Sequence, residues 1–270
     1  MTSTTLQLSD PYGTVAFREA GQGEPLVLIH GVGMQSAAWR PQIEALSRTH
    51  RVIALDMLGH GGSDRLPDEA ELPDYVAWLH AVLTAMDLSA VNLAGHSMGA
   101  LISGGYTVMH PEKVTRVALL NGVYRRTAQA RAAVEARAAE IREGAFDLET
   151  PLNRWFGDSS VDRAARQQVA AWLSHVDPAG YAAAYSAFAK GDATYADGFA
   201  DIACPLLALT GEDDLNSTPE MARTIAETAR NGRAVVLQGH RHMVNLTDPQ
   251  AVNAALRDWL QTPATRKETA

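Results

Sequence analysis

A short apolar run followed by the pentapeptide G-H-S-M-G at residues 95–99 constrains the fold of this chain more than any other stretch. The run at residues 91–94 predicts a buried strand, and the residues after Gly99 predict a closely packed helix. A turn this tight needs glycine on both sides, because a Cβ there would meet neighbouring backbone. Such a strand, turn and helix would present the hydroxyl of Ser97 at the end of a sheet.

Apolar runs recur along the chain and alternate with helical patterns. We predict strands at residues 26–29, 51–56, 91–94, 114–120, 205–210 and 233–237. Helical patterns lie between them at residues 42–47, 72–86, 221–229 and 251–260. This alternation predicts an α/β fold with a mostly parallel central sheet and helices on both faces. Residues 8–18, with a turn signal at 11–13, predict an antiparallel edge hairpin.

The alternation stops between Gly122 and about Ala200, where the chain is rich in alanine and has no clear strand pattern. Helices are predicted there at residues 127–143, 161–173 and 178–190. Because a strand pattern returns at Pro205, we predict an insertion into one core. The predicted organisation is a core of residues 1–122 and 201–262, a helical cap of residues 123–200, and a flexible tail of residues 263–270.

Composition and charge narrow the classes of partner. The formal net charge is −8, which argues against nucleic acid and anionic membrane surfaces as partners. The first ten residues show no signal-peptide pattern, and no run is long enough to span a membrane, so we expect a cytoplasmic protein. Cys204 is the single cysteine, which excludes an internal disulfide and a cysteine-rich metal site.

A serine nucleophile needs a base and usually a carboxylate that orients the base. His240 and His242 follow the last predicted strand, and Asp213 and Asp214 follow the strand before it. Both loops would lie at the carboxyl edge of the sheet, beside the serine turn. The order Ser, Asp, His along the chain is expected for this architecture. The pattern alone leaves either histidine and either aspartate open.

The reaction would also need donors for a developing oxyanion. The H-G-V-G sequence at residues 30–33 follows the first core strand, and its glycines would let a backbone N–H point into the site. We expect the backbone N–H groups of Val32 and Met98 to be these donors.

Five motifs in this order resemble the α/β-hydrolase superfamily. The branch they resemble bears a cap and contains small esterases, enol-lactonases, meta-cleavage-product (C–C bond) hydrolases and cofactor-free haloperoxidases. The motifs are H-G at residues 30–31, D-M-L-G-H-G-G-S at 56–63, G-H-S-M-G at 95–99, G-E-D-D at 211–214, and His242 followed by N-L-T-D-P at 245–249. The resemblance implies that residues 123–200 cap the site and that neither a metal nor an organic cofactor is required.

The resemblance also selects between the open residues. In this family the acid stands three residues after the glycine of the fourth motif, which selects Asp214, and the histidine precedes a short run ending in proline, which selects His242. Two positions depart from the family pattern. Leu58 stands where proline is usual, in a loop that is mainly structural, and Asn121 stands where some relatives carry the acid.

Serine as the nucleophile implies acyl transfer to Ser97 from a small-molecule substrate. A hydrolase of a small carboxylic ester or lactone is the main expectation. The alternative is a C–C bond hydrolase of a vinylogous diketo acid, which would need a carboxylate pocket. Arg125 and Arg126 could supply that pocket, although their positions are also typical of solvated charges in a loop. A third possibility is a non-catalytic ligand-binding protein of the same fold.

Substrate-pocket residues are predicted from their positions in the chain. Trp39 follows the H-G-V-G loop, a position that is equally compatible with pocket lining and with core packing, and Arg125 begins the predicted cap. Aromatic residues of the cap are equally compatible with a pocket lining and with packing between helices. The predicted pocket set is Trp39, Arg125, Trp155 and Tyr185, with Phe156, Trp172, Tyr181 and Phe188 as further aromatic candidates.

Overall fold

The structure is a computed structural model and describes residues 2–66, 70–145 and 147–264. An eight-stranded sheet runs through the described residues in the order β1-β2-β4-β3-β5-β6-β7-β8. Strands β1 and β2 are antiparallel to their neighbours, and the remaining pairings are parallel. The strands are β1 (Thr4–Gln7), β2 (Thr14–Ala20), β3 (Pro25–Ile29), β4 (Arg51–Leu55), β5 (Val91–His96), β6 (Val114–Leu120), β7 (Leu206–Gly211) and β8 (Gly232–Leu237).

The predicted α/β-hydrolase fold is confirmed, and each of the six predicted core strands is present within two residues of its expected bounds. Strands β5 and β7 are buried along their whole length, which explains why they read as continuous apolar runs. The edge hairpin is also present, but its first strand is Thr4–Gln7, and residues 8–13 form the connection.

Helices cover both faces of the sheet, and hydrophobic cores lie on each side. The helices are α1 (Arg40–Leu46), α2 (Leu72–Ala85), α3 (Met98–Met109), α4 (Ala128–Arg142), α5 (Glu149–Trp155), α6 (Ser160–Leu173), α7 (Pro178–Gly191), α8 (Pro219–Thr228), α9 (Val244–Thr247) and α10 (Pro249–Gln261). None of those within the described residues combines the length and hydrophobicity needed to cross a membrane.

The segment between β6 and β7 carries helices α4 to α7 and, in its described residues, no strand. Three of these helices match the predicted ones, while α5 was not predicted because seven residues give too short a periodic pattern. The division into core and cap stays a prediction, and the four helices α4 to α7 are called the cap helices. Of the predicted tail, residues 265–270 lie outside the described residues.

Two of the cap helices contact the 30–33 loop at Gly33, which has φ +79°. A Cβ on Gly33 would lie 2.4 Å from Cδ2 of Leu173 in α6 and 2.9 Å from Cε2 of Tyr181 in α7. Only glycine combines this backbone conformation with such close packing. The cap helices therefore rest directly on the loop that follows β3.

Candidate active site

Ser97 occupies the tight turn between β5 and α3. Its φ of 55° and ψ of −114° lie where residues other than glycine are rarely found. A Cβ on Gly95 would lie 2.0 Å from the Gly99 carbonyl oxygen, and one on Gly99 would lie 2.1 Å from that of Ile29. The two glycines therefore let the chain turn sharply, and Ser97 faces a cavity above the sheet.

His242 and Asp214 form a buried pair at the same edge of the sheet. His242 Nδ1 lies 2.8 Å from Asp214 Oδ2, and the two side chains are 3% and 1% exposed. Ser97 and His242 line the same cavity, so the structure brings the three predicted residues to one site. An imidazole whose Nδ1 faces a carboxylate keeps Nε2 available as a base.

Hydrogen bonds fix the Asp214 carboxylate. Oδ2 also accepts from Asn121 Nδ2 at 2.8 Å, and Oδ1 accepts from the backbone N–H groups of Asn216 and Ser217. Burial alone would raise the pKa of Asp214, but the charge and hydrogen bond of His242, with the hydrogen bond from Asn121, hold it below its usual range. Asn121, which stands where some relatives carry the acid, thus stabilises the charge of Asp214.

The competing candidates lie elsewhere. Asp213 is exposed, and its backbone N–H donates to the His240 carbonyl. His240 Nε2 faces Asp248 at 3.4 Å, and His240 Nδ1 lies 3.2 Å from the Thr247 hydroxyl oxygen. Neither residue is among those that line the cavity.

Two aromatic neighbours position His242. His96 Nε2–H donates to the His242 carbonyl oxygen at 2.8 Å. Burial and the neighbouring charge of His242 lower the pKa of His96 to about 3, so His96 stays neutral. The ring of Trp155, in the cap helix α5, lies 5.9 Å from that of His242, centroid to centroid. His96 therefore holds the backbone of His242, while the His242 ring packs against Trp155.

The 30–33 loop is held by buried histidines. The Gly33 N–H donates to His60 Nε2 at 2.9 Å, and His60 Nδ1–H donates to the Leu58 carbonyl. In the described part of the chain, neither the Val32 N–H nor the Met98 N–H has an acceptor among the turn and loop hydrogen bonds. Both remain available for a ligand, and Val32 lines the cavity beside Ser97.

The cavity has a volume of about 710 Å³ and is bounded by the sheet edge and by the cap helices α4, α5 and α7. That size suits a small organic substrate. Of the predicted pocket residues, Arg125, Trp155 and Tyr185 line it, as do Tyr181 and Phe188.

Trp39 corrects the prediction. Its side chain is fully buried, and it packs in the hydrophobic core on one face of the sheet, among residues that include Ile43 and Trp259, and not in the cavity lining. The short 3-10 helix Ser36–Trp39 turns its side chain inward, away from the cavity. Phe156 and Trp172 also lie outside the lining.

Arg137 and Arg154 line the cavity and were not predicted to do so. Arg137 shares one face of α4 with Ala130, Ala133 and Val134, and that face lines the cavity. Arg137 follows Val134 by three residues and Ala133 by four, so helical periodicity in the sequence places Arg137 on the same face as the other three. Arg154 lies in α5, the helix that was not predicted.

Comparisons with known proteins agree with this arrangement. A family model for the alpha/beta hydrolase fold matches residues 24–249. The (E)-2-((N-methylformamido)methylene)succinate hydrolase of Acinetobacter baylyi is 53% identical over 262 residues, which cover 97% of this chain and 99% of that protein.

Solved structures show the same fold. An esterase from Thermogutta terrifontis has a TM-score of 0.87 at 24% identity, covering 98% of this chain and 100% of the other. The enol-lactonase from Burkholderia xenovorans has a TM-score of 0.83 at 22% identity, covering 95% and 99%. The chain belongs to the α/β-hydrolase fold family, and it is a hydrolase.

Proposed function

We propose that this hydrolase cleaves the N-formyl amide of a small conjugated dicarboxylate, of the class to which (E)-2-((N-methylformamido)methylene)succinate belongs. The observation that carries the proposal is the charge of the cavity. Among the described residues its lining contains four arginines and one glutamate, in a chain whose net charge is −8. A cavity of this sign favours an anionic substrate. The lining charges are Arg125, Arg126, Arg137, Arg154 and Glu220.

The substrate that gives the Acinetobacter baylyi enzyme its name supports an N-formylated dicarboxylate as the class of substrate. It has two carboxylates, a formyl group on nitrogen, and a carbon–carbon double bond conjugated with that nitrogen, and it has no ester or lactone. The alternative expected from the sequence, a C–C bond hydrolase of a vinylogous diketo acid, has a conjugated acid as its substrate and so resembles this compound more than a simple ester does, although the bond it cleaves is different. The bond we propose to be cleaved is the formamide C–N bond.

In the first half-reaction, Ser97 Oγ bonds to the formyl carbon while His242 Nε2 takes the hydroxyl proton. The carbonyl electrons move onto oxygen, and the N–H groups of Val32 and Met98 donate to this oxyanion. Asp214 orients His242 and stabilises its charged form. The oxyanion then collapses, the C–N bond breaks, and His242 returns its proton to the leaving nitrogen.

This leaving group is better than an ordinary amine. Its nitrogen lone pair is conjugated through the double bond to a carboxylate, which spreads the charge that develops as the C–N bond breaks. The product left on the enzyme is a formyl ester of Ser97. In the second half-reaction His242 takes a proton from water, the hydroxyl adds to the formyl carbon, and Ser97 leaves with the proton from His242, which releases formate.

The test measures formate release from (E)-2-((N-methylformamido)methylene)succinate with a formate dehydrogenase assay. We expect kcat/KM for this compound to exceed that for p-nitrophenyl acetate, a butyrolactone or a ring-fission diketo acid by about 100-fold or more, because none of these three compounds carries the N-formyl group that we propose the site to recognise. Ser97→Ala should abolish turnover.

The same panel contains the contrary results. Efficient ester or lactone hydrolysis without formate release would overturn the proposal in favour of an esterase. Loss of the visible absorbance of the diketo acid, again without formate release, would overturn it in favour of C–C cleavage. Formate release that persists in Ser97→Ala would remove Ser97 from the reaction.

A further inference from the structure

We propose that Arg126 and Arg154, together with the Tyr185 hydroxyl, form an anion subsite in the cap that binds a carboxylate of the substrate. The inference rests on the proposed function for the identity of the substrate, but it concerns binding and can be tested without turnover. All three residues line the cavity that contains Ser97 and His242.

Arg126 has an unused donor in a buried position. Its side chain is 3% exposed, and Nη2 is buried with no hydrogen-bond partner among the described residues. Nη1 donates to the Phe188 carbonyl at 3.2 Å, and the guanidinium stacks on the Phe188 ring at 4.4 Å. A buried donor without a partner is costly, so a ligand that accepts from Nη2 would bind favourably.

The charge of Arg126 is balanced only in part. Asp192, which is buried, lies 3.4 Å from Arg126 Nη1 and 3.1 Å from Arg131 Nη2. One carboxylate thus faces two guanidinium groups, and the cluster keeps a net positive charge. A carboxylate from the substrate would complete the pairing that Asp192 begins.

Arg154 supplies a second cation. Within the described residues its guanidinium has no carboxylate partner, and Nη2 donates only to the Leu215 carbonyl oxygen, at 2.9 Å. Arg154 is exposed while it lines the cavity, which places it on the open side. The remaining N–H groups of its planar guanidinium are free to bind a carboxylate in bidentate fashion.

Tyr185 lies near Arg126 in the cavity lining. Its ring centroid is 5.9 Å from that of Phe188, the ring on which the Arg126 guanidinium stacks. Burial raises the pKa of Tyr185 above its ordinary value, although the charges of Arg126, Arg137 and Arg154 oppose the shift, so the hydroxyl is protonated and can donate to an anion. Tyr185 therefore adds a neutral donor to the cations of the subsite.

The other two arginines of the lining are already engaged. Arg137 Nη1 pairs with Glu140 at 3.0 Å, and its Nη2 lies 3.8 Å from Asp147. Arg125 pairs with Asp197, and its side chain is half-exposed. The sequence offered both Arg125 and Arg126 for a carboxylate pocket, and both line the cavity. Of the two, Arg126 is the better ligand, because only its side chain is buried with a donor to spare.

The test titrates the protein with succinate and with neutral succinamide by calorimetry. Succinate is a dicarboxylate without a hydrolysable bond, so the readout does not depend on catalysis. We expect wild-type protein to bind succinate at least tenfold more tightly than succinamide. Arg154→Gln and Tyr185→Phe should each weaken succinate binding about three- to tenfold, and Arg126→Gln by tenfold or more, since charge-assisted hydrogen bonds are lost.

Arg163→Gln is the matched control. Arg163 lies in the cap helix α6, is exposed, and is absent from the cavity lining, yet its loss changes the net charge equally. We expect this variant to bind succinate within twofold of wild type. If Arg126→Gln fails to fold, Arg154→Gln and Tyr185→Phe decide the matter.

Equal binding of succinate and succinamide, or unchanged succinate binding in Arg154→Gln and Tyr185→Phe, would overturn the subsite. Equal weakening in Arg163→Gln would reduce the effect to net charge and also overturn it. Failure of the proposed function is a separate result: no formate would be released, while the preference for succinate and its loss in the variants would remain.

Discussion

Nδ1 of His242 lies 2.8 Å from Oδ2 of the buried Asp214, whereas the preceding residue, Asp213, is exposed to solvent. Asp214→Asn keeps the shape of the side chain but loses its charge and one of its two acceptor oxygens, so it cannot accept from both His242 Nδ1–H and the backbone N–H groups of residues 216 and 217. We expect kcat to fall by about 10³–10⁴ in Asp214→Asn, because the tautomer and orientation of His242 are lost. Asp213→Asn, measured in the same assay, should stay within about twofold of wild type. Equal losses would contradict this assignment.

The serine turn should not tolerate a methyl group at Gly99. A Cβ there would lie 2.1 Å from the Ile29 carbonyl oxygen, so the strand or the helix would have to move. We expect Gly99→Ala to lower the free energy of unfolding by about 3 kcal/mol or more, measured by urea denaturation. In Gly157→Ala the nearest atom is the flexible end of Asp162 at 3.3 Å, and the expected cost is below about 1 kcal/mol. A mild effect at Gly99 would show that the turn can relax.

Asp192 and Asp197 provide a matched pair of ion-pair variants. Asp192 is buried and pairs with Arg126, whereas Asp197 pairs with Arg125 and its side chain is 97% exposed. We expect Asp192→Asn to cost about 3 kcal/mol of unfolding free energy, because a buried guanidinium loses its counter-charge. Asp197→Asn should cost less than about 0.5 kcal/mol in the same denaturation experiment, since exposed pairs contribute little. Similar costs for both variants would count against the buried cluster.

Stability should fall in mild acid partly because of His60. Burial, followed by the charge of His30, lowers the pKa of His60 to about 4 from its ordinary 6.5. Between pH 6.5 and 4 the unfolded chain therefore binds more protons than the folded one, and the free energy of unfolding decreases as the pH falls. At about 1.4 kcal/mol per pKa unit, the His60 contribution is about 2 kcal/mol between pH 7.5 and pH 5.

His60→Gln tests this contribution. A glutamine can accept from the Gly33 N–H and donate to the Leu58 carbonyl without titrating. Urea denaturation at pH 7.5 and pH 5 should show a smaller loss of stability in this variant than in wild type. If the two proteins lose the same amount, the titration of His60 does not contribute to the acid sensitivity.

How far the sequence predicts this molecule depends on whether a feature is local. Strands β3 to β7 are buried on both faces, so their apolar runs were readable, and the glycines at residues 95 and 99 marked the serine turn. The sequence does not predict the core position of Trp39, because nothing in its loop indicates which face of the sheet a short 3-10 helix covers.

Arg125 and Arg126 also show that the sequence does not predict which way a loop side chain points. Arg125 has a φ of +46°, which turns the chain so that its side chain pairs with exposed Asp197 while Arg126 points inward to buried Asp192. Adjacent identical residues therefore have opposite environments. A backbone conformation that is rare for arginine leaves no signature in the sequence.

The close contact of two cap helices with Gly33 means that positions in the cap helices differ in how well they should tolerate substitution. Leu173 and Tyr181 pack against the 30–33 loop, so mutations at these two positions would disturb the loop as well as the cavity that Tyr181 lines. Arg154 and the cavity-facing side of α4 do not touch that glycine in this way. A library that seeks new substrate preferences should hold residues 33, 173 and 181 fixed and randomise the α4 and α5 positions.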